Sequence, residues 1–260
     1  MTENVLIVEG EGHICTVTIN RPERRNALTM EVLYRLGDTM RGLDRGVRVV
    51  VLRGAGEKAF SSGMDIGGAL AVSDEEMKTK GNPIDYGMGG VTGCHCPVIA
   101  MIGGAAMGAG CDLAMSCDLR VAGDNARMGI NPVKLGRIYH PAGVQRLINV
   151  VGLARAKELF YTGRFVDAQT AREMGLVNRV VPAAELEDAT YALAQEIADN
   201  APLAVAGTKT IFNRLLKCQR LSTEDEAEIV AILDMSERSE DLKEGTMAFM
   251  EKRKPNFQGA

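Results

Sequence analysis

Two glycine-rich segments offer the most direct chemistry in this sequence. They span residues 54–66 (GAGEKAFSSGMDI) and residues 103–113 (GGAAMGAGCDL). Small residues let a ligand approach the main chain closely. A helix that begins at such a loop aims free N–H groups at negative charge. The second segment admits three readings. Gly108 and Gly110 lie between a strand and a helix, as in a dinucleotide site. Leu113, however, stands where the third glycine belongs, and no acidic residue closes a second strand at the expected distance. Tight helix packing is the second reading. The third is a pair of N–H groups, one from each segment, gripping an oxygen that gains charge during a reaction. Cys94, His95 and Cys96 have metal-binding side chains, but no fourth ligand follows at a suitable spacing. They are read as packing before a strand, and no metal is expected.

The elements that would position these groups are legible in the pattern. Residues 14–19 alternate as a strand, with Cys15, Val17 and Ile19 on one face. Residues 28–43 carry Leu28, Val32, Leu36 and Met40 at four-residue spacing, which predicts a helix. Thr29 is its expected N-cap, with Glu31 in the first turn. The β-branched run 47–52 reads as a buried strand leading into the first loop. Residues 97–102 read as a strand leading into the second, and 119–122 as another. Residues 67–90 are glycine-rich, with an acidic run at 73–76 and Pro83, and predict a short helix within a long loop. After Gly143 the spacing is helical to the end, with Gly152, Gly163 and Gly175 at helix C-caps. Alternating strands and helices followed by helices give an α/β core over residues 1–200 and a helical region over 201–260.

Composition sets the bounds. The chain has 260 residues, 46% apolar and 25% charged, which suits a folded globular protein. A net charge of -4 gives no long-range attraction for a polyanion, so nucleic acid is not an expected partner. No run of eighteen apolar residues occurs, and the opening segment MTENVLIVEGEGHI lacks the basic start and apolar core of a leader. A cytoplasmic protein with reduced thiols is expected.

Several ordered landmarks carry a resemblance. They are residues 20–28 (NRPERRNAL), 59–66 (AFSSGMDI), 96–100 (CPVIA), 108–114 (GAGCDLA), 117–120 (CDLR) and 244–257 (EGTMAFMEKRKPNF). In order and spacing the chain resembles the enoyl-CoA hydratase/isomerase (crotonase) superfamily from about residue 5 to residue 257. The resemblance implies a crotonase-like core of repeated ββα turns and a C-terminal region that drives trimer formation, giving a homotrimer or a dimer of trimers. It implies an acyl-CoA substrate whose thioester carbonyl lies between the amides of Met64 and Ala109. Coenzyme A is then part of the substrate, and no separate cofactor is expected. Ala27, Ser62, Asp65, Ile66 and Gly67 match segments that hold coenzyme A, with Gly108 and Pro132 also expected to contact substrate. Arg25 and Lys252 would meet the phosphates, Lys252 from a neighbouring subunit.

The sequence departs from the superfamily where hydratases place two glutamates. The first position is Asp112, one methylene shorter, and the second is Pro132, whose side chain cannot handle a proton. Residues 131–139 (NPVKLGRIY) resemble the methylmalonyl-CoA decarboxylase branch, which has threonine where Asn131 stands and a tyrosine at Tyr139. That likeness implies enolate formation by loss of carbon dioxide, with Asn131 bonding the departing carboxylate and Tyr139 orienting it or relaying a proton. The rival expectations are a hydratase or isomerase relying on Asp112 alone, and a non-catalytic acyl-CoA-binding protein.

Overall fold

The computed structural model describes residues 4–65, 74–216 and 223–258. The strands in chain order are β1 (Leu6–Glu11), β2 (Ile14–Ile19), β3 (Val49–Gly54), β4 (Ala59–Ser61) and β5 (Val98–Ile102). They continue with β6 (Ala105–Met107), β7 (Leu119–Gly123), β8 (Arg127–Gly129), β9 (Val166–Asp167) and β10 (Arg179–Val181). The helices are α1 (Met30–Gly42), α2 (Asp74–Lys80), α3 (Pro83–Thr92), α4 (Ala109–Ser116), α5 (Pro141–Val151) and α6 (Leu153–Thr162). Then come α7 (Ala168–Met174), α8 (Leu186–Ala198), α9 (Pro202–Leu216), α10 (Thr223–Arg238) and α11 (Glu240–Glu251).

A six-stranded sheet has the order β1-β2-β3-β5-β7-β10, and a smaller sheet the order β4-β6-β8-β9. In the larger sheet β1 and β2 pair antiparallel, and the remaining pairs are parallel. β3, β5 and β7 each hand the chain to a short strand of the second sheet, β4, β6 and β8, and helices return it. That is the repeated ββα turn: β3-β4 then α2 and α3, and β5-β6 then α4. The two faces of the larger sheet explain the continuous apolar runs. Val50, Leu52, Val98, Ala100 and Ile102 pack with α1 and α4, whereas Val49, Val51, Ile99 and Met101 pack with Leu186, Leu193 and Ala194 of α8.

The Thr29 hydroxyl accepts from the Val32 amide at 3.2 Å, capping α1 as its sequence implies. Residues 67–73 of the expected loop lie outside the described residues, and the rest of it holds two helices where one short helix was expected. These are α2 and α3, and α3 packs along α1. A Cβ on Gly87 would stand 2.7 Å from the Leu33 carbonyl, and one on Gly90 would stand 2.8 Å from the Gly37 Cα. Gly87 and Gly90, which signal a loop in sequence, are helix–helix contact points. The stretch after Gly143 is not wholly helical either. β9 and β10 interrupt it, and β10 completes the larger sheet beside β7. Runs of two and three residues are too short for alternation to register.

Helices α9–α11 carry exposed apolar side chains, including Leu203, Phe212, Leu215, Met235, Phe249 and Met250. Among the described residues no helix is long and apolar enough to cross a membrane.

Candidate active site

The loop between β2 and α1 is folded by its own polar groups. Arg25 and Asn26 both adopt positive φ. The fully buried Asn26 carboxamide donates to the carbonyls of Ala55 and Ala59 and accepts from the Arg21 amide. Arg21 bonds the Ala27 carbonyl at 2.6 Å and pairs with Asp65 at 2.8 Å. The Ser62 amide donates to the Arg25 carbonyl. Arg25, Ala27, Ser62, Met64 and Asp65 are thus brought together, whereas Ile66 and Gly67 lie outside the described residues. Neither Arg21 nor Asn26 was singled out from sequence. The signal available was a polar run between a strand and a helix, where each buried donor must find a partner.

A single parallel bridge sets the direction of the Met64 amide. The Leu28 amide donates to the Gly63 carbonyl and the Asp65 amide donates to the Leu28 carbonyl. In an extended chain successive N–H groups point to opposite sides, so the Met64 N–H faces away from Leu28. Gly63 has φ 97° and lies against the turn that starts α4. A Cβ there would be 2.8 Å from the Met107 carbonyl and 3.5 Å from the Ala109 nitrogen. Ala109 is the first residue of α4, so its N–H has no acceptor within the helix. Gly108 at the N-cap has φ 52° and ψ -120°, a conformation that glycine alone adopts readily. Gly110 approaches β4 so closely that a Cβ would meet the Ser61 carbonyl at 2.5 Å. The glycines of the second loop serve tight packing, and that packing carries the Ala109 amide up to residues 63–64.

Asp112 lies on the first turn of α4 and is 1% exposed. Its oxygens are both engaged: Arg146 donates through Nε at 2.7 Å to one and through Nη2 at 2.9 Å to the other. The Tyr139 hydroxyl donates to the second oxygen at 3.1 Å. Gly143 leaves the room, since a Cβ there would stand 2.3 Å from the Tyr139 ring and 2.9 Å from the Asp112 carboxylate. Burial, then the Asp112 charge, pushes the Tyr139 phenol well above its usual range. For Arg146, burial opposes the charge, but the Asp112 bonds outweigh it and hold the guanidinium proton more tightly than usual. Arg146 is missing from the sequence expectations because an arginine on an amphipathic helix reads as solvated. The nearest signal was its place between Val144, Leu147 and Ile148 on α5.

Asn131 precedes a short 3-10 turn, Pro132–Leu135, and its side-chain oxygen lies 3.8 Å from where a Gly108 Cβ would be. Among the described residues its carboxamide makes no hydrogen bond. Pro132 is buried, and its carbonyl accepts from the Arg137 amide. The two groups of residues meet where Gly63 touches residues 107–109. Lys252 stands apart, at the C-cap of α11, whose earlier residues Asp241 and Gly245 pack on the 132–136 turn.

Residues 9–260 match the family model described as enoyl-CoA hydratase/isomerase. The chain is 39% identical to the short-chain-enoyl-CoA hydratase of Clostridium acetobutylicum, over 98% of its own length and 97% of that protein's. It is 35% identical to the crotonyl-CoA hydratase of Syntrophomonas wolfei, with 98% of each covered. A methylmalonyl-CoA decarboxylase structure superposes with a TM-score of 0.90 at 30% identity, covering 100% of both chains. The same match is found for a methylmalonyl-CoA decarboxylase in complex with 2-nitronate-propionyl-CoA, with 99% of each covered. The ββα repeats, the glycine-dependent approach of the two loops and these matches over nearly the whole chain agree: this protein is a crotonase-fold enzyme of the enoyl-CoA hydratase/isomerase family.

Proposed function

We propose that the enzyme decarboxylates a malonyl-type acyl-CoA through an enolate held by the Met64 and Ala109 amides. The observation that carries this reading is the state of Asp112. Activating a water needs a carboxylate with a free lone pair facing it. Here Arg146 takes both oxygens, Tyr139 takes a further position on one, and Pro132 supplies no second carboxylate. Decarboxylation needs no base, because breaking the carbon–carbon bond releases carbon dioxide and leaves the electron pair on the α-carbon and the thioester oxygen, and solvent then returns one proton to the α-carbon. The site must stabilise that charge, and two preorganised N–H donors do so at about 3–4 kcal/mol each.

The Asn131 carboxamide beside Gly108 is available to bond the departing carboxylate. Tyr139 is held as a neutral phenol whose proton is directed to Asp112, so it presents its oxygen, rather than its proton, to the substrate. Arg25 and Lys58 border a cavity of about 170 Å³ together with Pro22 and Gly56, and they suit the phosphates of coenzyme A. The related decarboxylase complexed with 2-nitronate-propionyl-CoA supports the same substrate class. The exposed apolar faces of α9–α11 support a homotrimer or a dimer of trimers, in which Lys252 would serve a neighbouring site. We place the enzyme in the cytoplasm, where its five described cysteines, all unpaired, would stay reduced.

The second reading, hydration or isomerisation by Asp112 alone, is favoured by the 39% identity to a hydratase. Incubation with methylmalonyl-CoA, ethylmalonyl-CoA and crotonyl-CoA separates the two. Carbon dioxide release without hydration is expected. Hydration of crotonyl-CoA without carbon dioxide release from either malonyl thioester defeats the proposal. Tight thioester binding with no turnover would mark a non-catalytic binding protein.

A further inference from the structure

Cys94, His95 and Cys96 take no part in the site above. They form the turn between α3 and β5, beneath α9. Both sulfurs and a ring nitrogen of His95 lie within 4.8 Å of one another, the only such group of histidine, cysteine and acidic donors among the described residues. The sulfurs are 3.7 Å apart. Two thiolates at about 2.3 Å from one tetrahedral zinc ion stand about 3.8 Å apart, so the pair already has the required bite.

Two further features bear on a cation. First, His95 Nε2 lies 3.0 Å from the Val47 carbonyl. A carbonyl only accepts, so Nε2 carries the proton and Nδ1 the lone pair. Ligating histidines are oriented by the same kind of bond. Second, Lys209 donates to the Cys96 carbonyl at 2.9 Å and to Asp118 at 2.7 Å. Its ammonium would repel an incoming cation, and its pairing with Asp118 offsets that repulsion. The spacing argument from sequence sought a fourth protein ligand, but three ligands and a water also complete a tetrahedron.

We infer that Cys94, His95 and Cys96 bind one divalent cation of zinc's class, with solvent in the fourth position. Each sulfur that coordinates forms a metal–sulfur bond and releases its proton to solvent, with no change of oxidation state. The site joins the end of α3 to the start of β5, so occupancy would brace the strand that leads to the Ala109 loop.

The test uses reduced, metal-free, full-length protein titrated with cobalt(II). A thiolate-to-cobalt charge-transfer band with intense tetrahedral visible absorption is expected, saturating at one equivalent and bleached by zinc(II). Cys94→Ser and Cys96→Ser should each weaken cobalt binding about tenfold or more, while Cys111→Ser leaves it unchanged. In the unmodified protein, zinc should protect Cys94 and Cys96 from alkylation, which reads the site even if a serine variant misfolds. A folded, reduced protein that gives no band overturns the inference, as does a band that persists in both serine variants or alkylation that zinc does not slow.

Discussion

Arg146→Met tests whether Asp112 is bound as firmly as the distances imply. The Asp112 side chain is 2% exposed, and the Arg146 side chain is 21% exposed. Removing the guanidinium leaves a buried carboxylate with Tyr139 as its remaining side-chain donor, and breaking such a pair costs about 3–5 kcal/mol. The partial exposure of Arg146 puts the expected loss near the low end, about 3 kcal/mol. For a chain of this size that is a fall in melting temperature of roughly 6–12 °C. Asp112→Leu should cost less, about 2 kcal/mol, because the freed guanidinium can turn toward water. The double variant should lose only about 1 kcal/mol, mainly from the Tyr139 hydroxyl left without its acceptor. The single losses then exceed the double loss by about 4 kcal/mol, a coupling read from urea melts of the four proteins. Protein concentration must be matched, because subunit association adds to apparent stability. An Arg146→Met variant within about 0.5 kcal/mol of the parent, or a double loss equal to the sum of the singles, would refute the locked-carboxylate argument.

Ala109→Pro deletes the amide hydrogen at a helix position that tolerates proline, and kcat should fall about 100- to 1000-fold while the far-ultraviolet spectrum stays unchanged. A fall of less than tenfold would remove Ala109 from the proposed oxyanion site. Tyr139 binds its proton more tightly in the folded chain than an unfolded tyrosine does. Its contribution to stability is therefore complete below about pH 10 and is lost as pH rises above that value toward the folded pKa. Melts of the parent and Tyr139→Phe should accordingly converge above pH 10, and parallel curves would contradict this. Replacing exposed Phe212 and Leu215 by aspartate should shift the sedimentation coefficient toward a monomer if α9 lies in a subunit interface.

How much of this could be read from sequence depends on the range of the forces involved. Thr29 at the start of α1 and the apolar run of β3 are decided within a few residues, and they appear where local pattern puts them. Landmark order gave the loops that bear Met64 and Ala109, because their glycines are fixed by close main-chain contacts that other residues cannot make. The same residue type misled between positions 81 and 90. There Gly87 and Gly90 admit α1, a contact set by residues some fifty positions away. Arg146 was invisible for a related reason. Its role depends on Asp112, 34 residues earlier, and on Gly143 yielding space, and neither fact leaves a trace in helical periodicity.

Kinship and chemistry point in different directions at this site, and they carry different weight. Identity of 39% to a hydratase averages over the whole chain, so it reports chiefly the fold and the loops that every member shares. The reaction turns on a few atoms. A buried carboxylate that accepts two charge-assisted bonds from one guanidinium is bound as a structural ion, and with Tyr139 three of its roughly four acceptor positions are filled while the residue is 1% exposed to water. Freeing it would cost energy comparable to the stabilisation that one amide gives the enolate. Chemistry that generates the enolate by losing a neutral molecule leaves the pair intact, and for that reason the occupancy of Asp112 outweighs the average over the chain.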